Sequence, residues 1–246
     1  MKAVGVVQNC LRSMGYEIVP YPPTDERRSR DLLRKVFSKL SIDCVFDVGA
    51  NHGDYGDFLR DIGYKGWILS FEPVRAPFED LAKLAAARPP WKVFQYALGS
   101  ENGQAEINVQ ESDLLTSFLT PLGPSKTLPK NQRVGRETVE VRRLDSIFDE
   151  CMAGIAARQL YLKIDTQGFD LEVLRGAEGV LDKFKGAQTE VSFVPIYEGM
   201  PKYNDSIREF ETRGFGVVDF MPVSRVNWDF LMMEMDCVFA RASEFS

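Results

Sequence analysis

The feature that most constrains the fold is an alternation of short, almost wholly apolar runs with segments of helical periodicity. Cys44–Val48, Trp67–Phe71 and Val93–Ala97 read as the first three strands. Between them, Tyr55, Phe58, Leu59 and Ile62 recur at i, i+3, i+4, i+7 before Gly63, and Phe78, Leu81, Leu84 and Ala85 form a second apolar helix face closed by Pro89 and Pro90. Strands that are apolar throughout must be covered on both faces, so this order predicts a parallel sheet between two helical layers. The alternation resumes at Leu160–Ile164. A helix carrying Leu171, Val173, Leu174, Val180 and Leu181, interrupted at Gly176 and Gly179, leads to the strand Gln188–Phe193. Ser206-x-x-Glu209 has the capping-box pattern of a helix start, and Gly214 ends that helix. Phe215–Phe220 and Cys237–Arg241 follow with no helix between them, which makes the final strand antiparallel. The expected architecture is α/β: a seven-stranded, mostly parallel sheet with the last strand antiparallel and helices on both faces.

The 246 residues suit one domain, expected over 41–246, behind an N-terminal arm and helix over 1–40. Pro20, Pro22, Pro23 and a charged stretch from Asp25 to Arg30 make residues 1–30 read as an irregular arm. Leu32, Leu33, Val36, Phe37 and Leu40 then give a helix one apolar face. The stretch 101–145 breaks the alternation. Ala105–Val109 and Thr138–Arg142 read as strands that could pair. The polar segment Asp113–Gly135 between them is too long for a simple connector, which leaves a lid over a substrate and a decorative insertion equally open.

Composition removes several function classes. A net charge of −6 argues against a nucleic-acid backbone as partner. No run reaches the roughly 20 apolar residues of a membrane helix, so no membrane partner is expected. No targeting segment stands out, which points to the cytoplasm. Cys10, Cys44, Cys151 and Cys237 are scattered and read as small buried hydrophobes. His52 is the only histidine, so a Ser-His-Asp or Cys-His mechanism would have to use it, and a His-rich metal site is impossible.

Three segments carry chemistry. In Val45-Phe-Asp-Val-Gly-Ala-Asn-His-Gly-Asp-Tyr-Gly56 a strand runs into Gly49-x-Asn51-x-Gly53 and then a helix. Glycines there let the backbone approach a ligand and aim helix N–H groups at it. Asp47 lies near the strand's C-terminal edge, where ligands bind in open α/β sheets. Asn51 stands where a dinucleotide fingerprint has its second glycine, so a ligand without a pyrophosphate fits better; S-adenosylmethionine (AdoMet) is one. In Ser70-Phe-Glu-Pro73, Glu72 lies 19 residues beyond Gly53, placed to accept hydrogen bonds from two ribose hydroxyls. In Tyr161-Leu-Lys-Ile-Asp-Thr-Gln-Gly168, Asp165 ends a strand and could orient an ammonium, hold a metal or accept a proton.

Taken together, these segments resemble the FkbM family of AdoMet-dependent methyltransferases. The resemblance rests on Phe46-Asp-Val-Gly-Ala-Asn51, Ser70-Phe-Glu-Pro73, Ala97-Leu-Gly99, Leu144-Asp145, Leu162-Lys-Ile-Asp-Thr-Gln-Gly168 with Val173-Leu-Arg-Gly176, Pro195-Ile-Tyr-Glu-Gly199, Gly214-Phe215 and Asp236-Cys-Val-Phe239, over roughly residues 40 to 241. It implies the Rossmann-like class I methyltransferase fold and O-methylation of hydroxyls on sugars, glycans or secondary metabolites. It also implies AdoMet-binding roles for Asp47, Gly49, Asn51, Glu72, Ala97 and Asp165, to which Leu98 of the matching Ala97-Leu-Gly99 and Gly53 of the Gly49-x-Asn51-x-Gly53 turn are added. The chain departs from the family at Gln167, where many members have glutamate, and in Ser112-Asp-Leu-Leu-Thr-Ser117, a loose version of a serine-rich segment.

A hydroxyl acceptor needs a base, and the base must lie on the sheet's ligand edge. Asp165 is the first candidate, followed by Glu190 and Asp236, whose strands bring them to that edge. His52 has a suitable intrinsic pKa but sits in the cofactor turn. Tyr197 and Glu198 are candidates for binding the acceptor. The expected partner is a small molecule or glycan. A divalent metal and the oligomeric state are left open. The rival readings are a nicotinamide-dependent oxidoreductase, which shares the fold, a methyltransferase acting on protein or nucleic acid, and a non-catalytic AdoMet-binding protein.

Overall fold

The structure, a computed structural model, describes residues 25–123, 133–226 and 231–245. Most of the predicted N-terminal arm (1–24) and 124–132 of the candidate lid lie outside the described residues. The main sheet contains β1 (Cys44–Val48), β2 (Trp67–Phe71), β3 (Trp91–Phe94), β7 (Leu160–Ile164), β8 (Phe184–Ser192), β9 (Phe215–Val226) and β10 (Leu231–Arg241). Their spatial order is β3-β2-β1-β7-β8-β10-β9. β10 runs antiparallel to both β8 and β9, and the other pairings are parallel. The strand order reverses between β1 and β7, the place where open α/β sheets form a ligand crevice at their C-terminal edge.

Every residue of β1 and β7 is buried, as continuous apolar strands in a doubly covered sheet must be. On one face, Val45, Ile68, Tyr161 and Val238 pack with Leu33 and Phe37 of α1 (Asp25–Lys39), Leu59 of α2 (Asp54–Asp61) and Leu81 of α3 (Arg75–Ala87). On the other, Phe46, Leu69, Leu162 and Phe239 pack with α4 (Leu144–Cys151), α5 (Asp170–Gly176) and α6 (Tyr203–Glu211). The Phe46 ring stacks on Phe148 at 5.7 Å and meets Phe184 edge-on at 5.2 Å. No helix among the described residues is long and apolar enough to cross a membrane.

Four local expectations are corrected. The charged stretch from Asp25 is the opening of α1, because its charged residues are good helix formers and Arg27 and Arg34 both approach Asp31 along the helix. The run Val93–Ala97 is split. β3 ends at Phe94, and Ala97–Leu98 (β4) leaves to pair with Val141–Arg142 of β6 (Arg133–Arg142). The apolar continuity of Tyr96, whose ring stays against Phe71 and Phe94, hides that break. α6 starts three residues before the predicted capping box, with Lys202 as its extended first cap. Ser206 is buried inside the helix, its N–H bonded to the Lys202 carbonyl at 3.0 Å. Finally, β8, β9 and β10 are longer than expected, and β10 begins six residues before Cys237.

The expected pairing of the two insertion strands is present. β5 (Gly103–Gln110) runs antiparallel to β6, with Ala105 opposite Val139. With β4 they form a second, three-stranded sheet whose apolar side holds Val74, Ala97, Ile107 and Val139.

Candidate active site

A cavity of about 330 Å³ opens at the C-terminal edge of β1, β2 and β7. Its floor is the turn after β1. Gly49 and Asn51 both have left-handed backbones, φ 77° and 48°, a conformation glycine takes freely and asparagine tolerates. The Gly49 and Ala50 N–H groups donate to the Phe71 carbonyl at 3.0 and 3.1 Å, which locks the turn against β2. The Asn51 N–H donates to Glu72 Oε2 at 2.9 Å and the Val74 N–H to Oε1 at 2.8 Å. Each carboxylate oxygen of Glu72 therefore keeps a further lone pair for the cavity it lines. Burial raises the Glu72 carboxyl to about 7, against the two N–H bonds that favour its ionised form. The Asn51 side-chain oxygen is buried and has no protein partner.

The rest of the wall divides by chemistry. Phe71, Val74, Pro77, Leu98, Ile107 and Phe118 form an apolar side. Asp165, Gln167, Glu190 and Glu234 form a polar end. The described start of the candidate lid closes one flank, with Asp113, Leu114, Leu115 and Thr116 all on the wall. It is pinned by the Ser117 hydroxyl, which donates to the Gln167 carbonyl at 2.7 Å, and by an antiparallel bridge between Asn108 and Ser117. His52 ties it to the floor: Nε2 lies 2.6 Å from Asp113 Oδ2 and Nδ1 lies 3.3 Å from Asp80 Oδ2 of α3.

Beneath the floor runs a buried polar chain. Trp91 Nε1 donates to the Ser70 hydroxyl at 2.9 Å, and that hydroxyl donates to Asp47 Oδ2 at 3.0 Å. Asp47 Oδ1 lies 3.3 Å from Lys163 Nζ, which lies 3.4 Å from Asp165 Oδ2. The ammonium also sits 5.1 Å from the centre of the Tyr55 ring. Burial works against the charge on Lys163, but Asp165, Asp47 and Asp236 outweigh it and hold its pKa above the ordinary value.

Of the predicted site residues, the fold brings Gly49, Asn51, Glu72, Ala97, Leu98, Asp165 and Glu190 to the cavity wall. Five others lie off it. Asp47 is fully buried below the floor, held by Ser70 and Lys163. Gly53 packs the turn against α3, where an added Cβ would meet Leu81 at 2.9 Å. Asp236 lies in the polar layer beside Lys163 and is hydrogen-bonded to Gln188, with burial and Asp165 raising its carboxyl to about 6. Tyr197 is buried behind the wall, its hydroxyl 2.8 Å from the Leu115 carbonyl and 3.1 Å from Gln167 Oε1. The Glu198 side chain is exposed and its N–H bonds the Thr120 carbonyl at 2.8 Å. Tyr197 and Glu198 thus anchor the 113–121 segment.

Glu234 on the cavity wall is not among the candidates the sequence suggests. Its signal was its spacing: it stands two residues before Asp236 and so shares that residue's face of a strand, but the strand was expected to begin only at Cys237. Among the described residues no group of three or more His, Cys, Asp or Glu side chains is arranged to hold a metal ion.

His52 titrates higher than an ordinary histidine, chiefly because it is hydrogen-bonded to Asp113. A raised folded-state value means that its link to the flank is complete below the ordinary 6.5 and is lost as pH rises through the raised value. We expect His52→Ala and Asp113→Asn each to lower hydrogen-exchange protection of the Leu115 and Thr116 amides. Unchanged protection in both variants would show that the histidine does not hold the flank.

Comparison with known proteins places the chain. The methyltransferase FkbM domain matches residues 47–217. The 2-O-methyltransferase NoeI of Sinorhizobium fredii is 25% identical over 162 residues, which are 63% of this chain. The match spans 65% of that relative's length. Among solved structures, an rRNA methylase from Streptococcus thermophilus is similar over 89% of this chain and 98% of its own, with a TM-score of 0.47 and 11% identity. TehB from Haemophilus influenzae is similar over 86% and 61%, with a TM-score of 0.46 and 8% identity. The family match covers more than half of the chain and includes the floor turn, Glu72, Asp165 and Glu190: this chain belongs to the FkbM methyltransferase domain family.

Proposed function

We propose that the cavity binds AdoMet and that the protein transfers its methyl group to a hydroxyl of a sugar, glycan or similar polyhydroxylated small molecule. The observation that carries this reading is the junction of a close-approach turn, a ribose-reading carboxylate and a carboxyl-rich end within one cavity. The residues fit the cofactor. A Cβ on Gly49 would lie 1.8 Å from the Asp165 carbonyl oxygen, so only glycine lets the floor turn pack this closely on the end of β7 and bring Asn51 and Asp165 to one cavity. Glu72 would hold the ribose hydroxyls, the apolar side the adenine, and Asn51 and Asp165 the amino-acid end. When bound, AdoMet supplies an electrophilic methyl on a sulfonium. The chain's own task is to align the acceptor oxygen with it and remove the proton.

Among the three base candidates, Glu190 is favoured over Asp165. Asp165 faces Lys163 with one oxygen, and its other accepts from Gln167 Nε2 at 3.2 Å. Asp236 is off the wall. Glu190 lines the cavity with Oε1 free of any partner. The relative NoeI is a 2-O-methyltransferase by name, which supports a hydroxyl acceptor here, and the net charge of −6 weighs against RNA.

The test is transfer of label from methyl-labelled AdoMet to a panel of neutral methyl glycosides, with total RNA as competitor. Label in a glycoside supports the reading, and label only in RNA defeats it. A second result is expected from Glu72. Its ionised form accepts ribose hydroxyls, so affinity for S-adenosylhomocysteine should rise with pH through about 7. Below that point it should fall by up to about tenfold per pH unit. Glu72→Gln should bind weakly with a flat pH profile. A wild-type profile equally flat would remove Glu72 from the binding site.

A further inference from the structure

Glu190 and Glu234 come from neighbouring antiparallel strands. Asp236 is paired with Glu190, and Glu234 with Ser192, so the two glutamates are diagonal neighbours on one face of the sheet. Both are at least nine-tenths buried, with 9% and 8% exposure. Both line the cavity, and each has an Oε1 with no protein partner. The other Glu234 oxygen accepts from the Ser224 hydroxyl at 2.7 Å. Asp165 at the end of β7, Asp170 at the start of α5 and Asp236 on β10 face Glu190 and add negative potential. The cation in this region, Lys163, is already placed between Asp47 and Asp165. Two buried carboxyls with these neighbours do not both ionise.

We propose that Glu190 and Glu234 act as a proton-sharing pair at the acceptor end of the cavity, the singly charged pair together serving as the base. This rests on the methyltransferase reading above. Burial first, and then Asp165, Glu234 and Asp236, push the Glu190 carboxyl well above its ordinary range. Burial likewise raises Glu234 against its bonds to Ser224 and Glu190. In the reaction the acceptor O–H bond breaks and its proton passes to the ionised carboxylate of the pair. The acceptor oxygen forms its bond to the methyl carbon as the carbon–sulfur bond breaks, and the sulfonium leaves as a neutral thioether. The pair passes from one proton to two and releases one to solvent.

The pair can be tested without knowing the acceptor. Sinefungin carries an amine where AdoMet carries its methylated sulfur, and S-adenosylhomocysteine has no charge there. Calorimetric titration of both ligands, each in two buffers of different ionisation enthalpy at neutral pH, reports affinity and proton release. In wild type, sinefungin is expected to bind more tightly than S-adenosylhomocysteine by about tenfold or more, the effect of a close desolvated charge pair, and to displace the shared proton. Glu190→Gln should lose both the advantage and the proton release. Glu234→Gln should change the proton release as well, because the remaining carboxyl has no partner with which to share a proton. Thermal unfolding of both variants establishes that they fold. Equal proton release in all three proteins, or an undiminished sinefungin advantage in Glu190→Gln, would overturn the pair while leaving the cofactor site intact. Failure of wild type to bind S-adenosylhomocysteine would overturn the cofactor reading, and the pair's role with it.

Discussion

Lys163→Met is expected to destabilise the protein by about 3–5 kcal/mol, the usual cost of removing one partner from a buried ion pair. Lys163 is 5% exposed and Asp47 is fully buried, so water cannot replace the lost cation. Without it, Asp47 keeps only the Ser70 hydroxyl at 3.0 Å, and Asp165 loses its contact at 3.4 Å. Urea unfolding measures the loss. The double variant Asp47→Asn/Lys163→Met should recover part of it, because no uncompensated carboxylate then remains below the floor. A loss under about 1 kcal/mol, typical of an exposed pair, would mean that the chain under the cavity is not held by charge.

Gly49→Ala is expected to abolish ligand binding as well as to destabilise. Two costs combine. The residue sits at φ 77°, where a side chain is strained by about 1–2 kcal/mol. Its Cβ would also fall 1.8 Å from the carbonyl oxygen of Asp165. That obstacle is backbone, so β1 and β7 would have to separate where they are paired through Val48 and Ile164. Displacing that junction moves Asn51, Glu72 and Asp165 relative to one another. Gly63→Ala is the control. It has a similar φ of 93° with nothing within 4 Å of the added Cβ, so it should show the strain alone and normal binding. Equal binding by the two variants would show that the floor tolerates separation.

The contrast between what was legible in the sequence and what was not follows from where the information lies. β1, β2 and β7 have the bounds expected, since strands covered on both faces write their burial into consecutive residues. The antiparallel end of the sheet was likewise legible from two strands with no helix between them. Helix α4 is not legible in the sequence although Leu144, Ile147, Phe148 and Cys151 are all buried at helical spacing, because its 8 residues hold too few turns for the period to stand out after the preceding strand. The capping box at Ser206 failed because a serine followed three residues later by glutamate also occurs inside helices. At the site, local motifs reached the floor turn and Glu72, which act through adjacent residues. The polar layer of Asp47, Lys163 and Asp236 and the Glu190–Glu234 pair depend on β1, β7, β8 and β10 lying side by side. That proximity is a property of the sheet order, and no single segment records it.

The most direct test of the central claim is calorimetric titration of the full chain with S-adenosylhomocysteine, with NAD as the competing ligand and Glu72→Ala as the site control. The account predicts saturable binding of S-adenosylhomocysteine by the wild type, none of NAD, and loss of binding in Glu72→Ala. Saturable binding of NAD with none of S-adenosylhomocysteine would contradict it.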